Sequence, residues 1–332
     1  MKRTFVGVML IFSMLTLMST LAFASEPRIN VLTGGNNLST PEDDLDVYNF
    51  PHTLNAKGSF VYADARPGAE YVAYGGSNWI AGISRSSSMM NNIHLANEPI
   101  IDLGYSNGST GIIATIGLDD PTAATQTLSL TARASTGSDG RALAAEVSFV
   151  DVEGVDTGIS LGVDARMDRD GGHFKYLIVS ASLASKDASG NMMSNGGGTD
   201  IEASALLADN DMITDSVRLL YGVGLGVELL DGETTGIAIP THIGAEIDAK
   251  KWLTLRAGGV REWRMDSWDK AATMGGVPDE TTYATKTAVN FGLAMTSGDV
   301  AIDVDLRDSF LSDGIVFEAG GFSAHTSVTY SF

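Results

Sequence analysis

The chain has 332 residues, a formal charge of −20, no cysteine, 38 glycines and 8 prolines, and only 19% of its residues are charged. The acidic balance excludes a nucleic-acid binder, which needs basic patches to neutralise phosphates. The lack of cysteine excludes disulfide bracing and a lipoprotein anchor, so stability has to come from extended hydrogen bonding and packing.

Residues 1–24 read as a signal peptide. Lys2 and Arg3 form the positive end, Phe5–Leu21 is almost wholly apolar, and Ala22-Phe23-Ala24 gives the small-x-small cleavage pattern, leaving Ser25 as the new N-terminus. The alternative is an uncleaved membrane anchor, for which the apolar stretch is short. Export removes Lys2 and Arg3 and takes the formal charge from −20 to −22. Beyond this segment no apolar run is long enough for a spanning helix. Residues 25–56 do not alternate. They run through Ile29-Asn30-Val31-Leu32-Thr33-Gly34-Gly35, an acidic stretch with Asp43, Asp44 and Asp46, and Tyr48-Asn49-Phe50-Pro51 to Leu54. Their apolar residues need burial, which favours a segment that plugs something over a solvated periplasmic tail.

From residue 57 onward the pattern has period two, the mark of strands whose side chains point to opposite faces in turn. Candidate strands fall at 57–66, 69–76, 79–86, 98–106, 109–118, 124–136, 143–151, 155–168, 173–186, 199–208, 213–229, 234–248, 251–264, 284–296, 299–307 and 321–332. In Val155–Asp168, Ile159, Leu161, Val163 and Met167 share one face, and Asp156, Gly158, Ser160, Gly162, Asp164, Arg166 and Asp168 the other. The longest gaps, 87–97, 187–198, 265–283 and 308–320, all fall at the same end of an up-and-down arrangement. The intervening gaps hold turn chemistry: Asn107-Gly108, Asp139-Gly140, Asp170-Gly171-Gly172, Asp248-Ala249-Lys250 and Ser297-Gly298. Short periplasmic turns and long external loops produce that asymmetry in an outer-membrane barrel.

A soluble sandwich shares the alternation, with the apolar face turned inward. Three features favour the barrel. The polar faces are rich in Gly and Ser. Aromatics sit near strand ends (Tyr105, Phe174, Tyr176, Trp252, Trp263, Tyr283, Tyr330), as in an interfacial girdle. The last strand ends on Phe332 with Tyr330 and Val328 on the same face, an ending like the signal read by the barrel-assembly machinery. The expected fold is therefore all-β, a closed antiparallel transmembrane β-barrel over 57–332. About fourteen strands are expected (range twelve to sixteen), because the first hairpin is short and Gly-rich. Its expected surroundings are the bacterial outer membrane, with its lipid and lipopolysaccharide.

The N-terminal layout, with Gly34-Gly35, Asp43-Asp44 and Tyr48-Asn49-Phe50-Pro51 ahead of the first strand, resembles that of the long-chain fatty-acid transporter (FadL-type) superfamily. The motif departs from the family pattern in that Phe50 separates Asn49 from Pro51 and His52-Thr53 follow it. The resemblance implies an N-terminal plug formed with Gly34, Gly35, Asp43, Asp44, Asn49 and Pro51, and a hydrophobic substrate.

The charges assigned to the lumen are Arg133, Glu146, Asp156, Asp164, Arg166, Asp168, Arg218, Glu228, Glu246, Asp303, Asp305 and Arg307. An open lumen with this acidic excess would favour cations; the alternative is a paired network filling a narrow interior. No catalytic motif surrounds His52, His94, His173, His242 or His325, although His242 and His325 face the lumen. The Asp43, Asp44 and Asp46 cluster lacks the spacing of a calcium loop, so no metal or cofactor is expected. Trp263, Trp268, Met265 and Met274 flank the longest external loop and make either an apolar landing site or part of the interfacial belt. The reading is a passive channel for small or hydrophobic solutes. Its rivals are a filled barrel displaying its loops and, more weakly, an outer-membrane enzyme.

Overall fold

Sixteen antiparallel strands close on themselves into one barrel. The computed structural model of the chain describes residues 26–33, 46–66, 69–85, 99–118, 127–138, 140–152, 158–169, 173–185, 199–230, 234–268, 280–306 and 324–332. The strands are β1 (Phe60–Arg66), β2 (Ala69–Gly75), β3 (Trp79–Arg85), β4 (Pro99–Ser106), β5 (Thr110–Leu118), β6 (Thr127–Ser138), β7 (Arg141–Val152), β8 (Gly158–Asp168), β9 (Tyr176–Ser185), β10 (Thr199–Thr214), β11 (Val217–Leu230), β12 (Thr234–Lys250), β13 (Leu253–Trp268), β14 (Glu280–Ser297), β15 (Val300–Leu306) and β16 (Ala324–Ser331). Residues 1–24, where a signal peptide is expected, lie outside the described part.

The count of sixteen corrects the expected fourteen. β1 and β2 have only 7 residues each, but closure depends on them. β1 pairs with β16 from Phe60↔Ser331 to Ala65↔Thr326 and with β2 on its other side, leaving no open edge. Two strand ends also move. β10 runs through Asp209-Asn210-Asp211, a polar run that the sequence reading left as a gap, because these residues keep their pairing with Tyr221, Leu220 and Leu219. β12 continues to Lys250 through an irregularity between Asp248 and Lys250, which shifts the turn to Lys251-Trp252.

The links 86–98, 186–198, 269–279 and 307–323 all leave the same end of the barrel. The opposite end carries tight turns and receives both the start of β1 and the end of β16. In the β4–β5 turn the Asn107 Oδ1 accepts from the Thr110 amide at 2.8 Å, and Gly108 takes φ 92°, a left-handed conformation that favours glycine.

The two faces of the wall differ as the alternation requires. Ile83, Leu103, Leu161, Leu225 and Ile243 point outward and are well exposed, whereas the inward Asp102 is 0% exposed. Outward aromatics gather near the short-turn end, where Tyr74 lies 4.9 Å from Trp79 and 5.8 Å from Phe332 between ring centroids. Val328 and Tyr330 share that outward face. Near the same end, beside β9 and β10, the outward face is interrupted by Lys175, which donates to Asp211, and by Asp209, which accepts from Tyr221.

The described parts of the N-terminal segment lie against the inward face. Helix α1 (Glu26–Thr33) lies against β12 to β16; the short α2 (Asp46–Asn49) leads into a 3-10 helix (Pro51–Ala56) that lies against β3 to β6. The second part is held by an apolar core in which Val47, Tyr48 and Leu54 meet Tyr62, Tyr71, Ala73, Ile80 and Ile113. The first part rests on inward glycines. A Cβ on Gly244 would lie 2.8 Å from the Leu32 carbonyl oxygen, one on Gly292 would lie 2.7 Å from Val31 Cγ2, and one on Gly258 would run into the Val31 carbonyl. Glycine here lets another backbone approach the strand closely.

Candidate functional site

The barrel interior brings charged side chains together from both chain ends. Arg28 of α1 forks onto Glu246 of β12, with Nε to Oε1 and Nη2 to Oε2 both at 2.7 Å. Arg256 of β13 donates its Nε to the same Oε1 at 2.8 Å and its Nη1 to Asp303 of β15, and Arg218 Nη1 stands 3.8 Å from Glu246 Oε2. All of these except Arg218 are buried. A buried carboxylate without a partner costs several kcal/mol, so this arrangement of bidentate guanidinium groups makes its burial tolerable.

On β8, four strands away around the wall, Arg166 forks onto Asp46, Nη1 to Oδ1 at 2.7 Å and Nη2 to Oδ2 at 3.0 Å, with the Phe50 ring 4.6 Å from the guanidinium. Arg133 donates to the Asn49 carbonyl at 2.7 Å, to Glu146 at 3.1 Å and to Asp164. The N-terminal segment is thus tied by ion pairs to two walls that lie far apart in sequence. Between them, His325 and Tyr62 both meet Asp64, at 2.5 and 2.6 Å, and Thr115 donates to Asp102 at 2.5 Å. The Tyr48 hydroxyl meets that of Tyr71, and burial, aided by the Asp102 charge, pushes the Tyr48 phenol well above its ordinary pKa. It therefore stays protonated and can keep this hydrogen bond.

His52, on the 3-10 helix, accepts at Nδ1 from or donates to Ser135 Oγ at 2.9 Å, while Ser135 Oγ also receives the His52 amide. Its ring lies over Gly137, where a Cβ would clash. Partial burial lowers its pKa; the Arg166 charge acts in the same direction and Asp46 against it. Beside it, at the short-turn end, a cavity of about 760 Å³ opens between the 3-10 helix and the ends of β6 to β8.

The sequence-derived residues therefore separate into groups. Arg133, Glu146 and Asp164 form one cluster; Arg166 stands with Asp46; Glu246, Arg218 and Asp303 share another; Glu228 pairs with Arg264. Asp305 is inward and buried. Asp168 is exposed at the rim, against Gly140. Asn49 contributes its carbonyl, and Pro51 opens the 3-10 helix. Asp156, Arg307, Gly34, Gly35, Asp43 and Asp44 lie outside the described residues. Asp46, weighed beside the calcium question, is held by Arg166. His242 is buried on the inward face and His325 is bound to Asp64. The sequence reading missed Arg28, Asp64, Asp102, Arg256 and Arg264 as interior charges. Extending the strict alternation through 253–264 and 99–106 would have found Arg256, Arg264 and Asp102.

No family model matches the sequence, and the search of curated proteins found no match. Among solved structures the chain is similar to a bacterial polysaccharide outer membrane secretin at 9% identity and a TM-score of 0.41, covering 82% of this chain and 97% of that one. It is similar to OmpT of Vibrio cholerae at 8% identity and a TM-score of 0.41, covering 82% and 94%. It also aligns with the toluene transporter TbuX of Ralstonia pickettii at 11% identity and a TM-score of 0.27, covering 92% and 96%. Likeness at this level carries no argument about function.

Proposed function

We propose that the chain is a bacterial outer-membrane barrel that serves as a passive conduit for small solutes, with residues 26–56 closing its lumen at rest. The observation that carries this reading is the pair of buried ionic anchors, Arg28–Glu246 and Asp46–Arg166, which tie the segment to the inner wall at β12 and again at β8. The outward apolar belt supports the membrane setting, since a water-soluble monomer rarely exposes so continuous an apolar surface. The N-terminal layout that resembles FadL-type transporters is consistent with a plug and leaves a hydrophobic solute as a finer proposal.

The test is planar-bilayer conductance. The full chain should be nearly silent, and deletion of 29–55 should give discrete ohmic steps. A deletion variant that folds yet stays silent would instead support the second reading, a filled barrel whose external loops interact with other surfaces. The apolar core around Tyr48 and Leu54 favours that second reading, because it is packed like a permanent interior.

A further inference from the structure

Two concavities meet at the short-turn end of β6 to β8, one on each side of the wall. The inward one, about 760 Å³, is lined by His52, Lys57, Arg141 and Asp168 among others. The outward one, about 300 Å³, includes Leu143 and Met167, which belong to the outward apolar face. The two share Gly137, Ser138, Arg141 and Ala142, so Arg141 stands on the rim between a polar hollow and an apolar groove. Arg141 is exposed and is the first residue of β7, directly after the turn at Gly140.

This pairing selects its ligand. A guanidinium at a strand end grips a phosphate through two parallel hydrogen bonds. A free phosphate would use Arg141 and leave the groove empty; only an amphiphile fills both. The formal charge of −20 gives no general attraction for anionic headgroups, so any capture has to come from a local site. We propose that this junction binds a phospholipid of the inner leaflet, with its phosphodiester on Arg141, Lys57 adding a second positive charge, and an acyl chain along Leu143 and Met167. The inference rests on the outer-membrane reading above, which sets the short-turn end at the periplasmic leaflet.

The experiment uses the full chain, delipidated in nonionic detergent. It is titrated separately with phosphatidylglycerol, with diacylglycerol lacking the phosphate, and with inorganic phosphate, and retained ligand is counted by native mass spectrometry. Phosphatidylglycerol should be retained saturably and the other two should not. Arg141→Gln should weaken retention about tenfold, the usual size for a lost charge-assisted contact. Leu143→Asn should weaken it too, through the groove, with each variant still migrating as a heat-modifiable barrel. Equal retention by the parent and Arg141→Gln, binding of diacylglycerol as tight as that of the phospholipid, or full displacement of the lipid by inorganic phosphate overturns the site. Any of these in a detergent-requiring barrel is a failure of this site alone. A chain that stays dispersed after detergent removal is a failure of the membrane reading and takes this inference with it.

Discussion

At the scale of single residues, interior glycines and arginines act as a matched pair: the first make room for the N-terminal segment, the second hold it. The chain lacks cysteine, so Val31→Cys is a clean reporter on a side chain that is 0% exposed. It should resist a bulky thiol reagent in the otherwise unaltered protein and react in Gly258→Leu, whose added side chain runs into the Val31 carbonyl. Equal protection in both would mean that α1 does not depend on that glycine. Arg28→Ala should cost about 1–3 kcal/mol, the usual penalty when a buried hydrogen-bonded group loses a partner, because Glu246 keeps Arg256. Denaturant unfolding of the two proteins measures it. His52 sets a pH dependence. Its folded-state pKa lies below the ordinary histidine value of about 6.5, so the unfolded chain takes up a proton first as pH falls. Its contribution to stability is complete above about pH 6.5 and declines as pH drops from there towards the folded-state pKa. His52→Gln should flatten the thermal-stability profile in that window, and an unchanged slope would assign the dependence to another group.

At the scale of elements, the strands were legible because period-two alternation is a local signal. All sixteen candidate segments in the sequence correspond to strands, and the expected count fell short only through discounting a hairpin whose value lies in closure, a non-local property. The polar run at Asp209-Asn210-Asp211 misled for a like reason: Asp209 and Asp211 find partners, Tyr221 on the neighbouring strand and Lys175 ahead of β9, that a linear reading does not see. The interior site was legible only in part. Which face each charge occupies follows from alternation, but Arg28 and Glu246 stand 218 positions apart, and nothing local joins them. The seam carries its own expectation. Phe332 donates its amide to the Ser59 carbonyl at 3.1 Å and packs against Tyr74 and Tyr330. Deleting it should lower the fraction of chain that migrates as a folded, heat-modifiable barrel, whereas an unchanged fraction would remove the C-terminal residue from any part in assembly or closure.

At the scale of the whole molecule, the barrel has an apolar outer surface and an ion-paired inner one, the inverse of a soluble sandwich. That inversion supports the proposed bilayer setting, in which hydrocarbon leaves no partner for an open sheet edge; this sheet has none among its described strands. Trp79, Trp252 and Trp263 are well exposed, so their fluorescence tests the proposed membrane setting. The most direct measurement is quenching by brominated phospholipids after reconstitution into vesicles. Strong quenching, greatest when the bromines lie near the headgroup end of the acyl chains, is the predicted result. Fluorescence indifferent to every brominated lipid, in a protein shown to be folded, would contradict it.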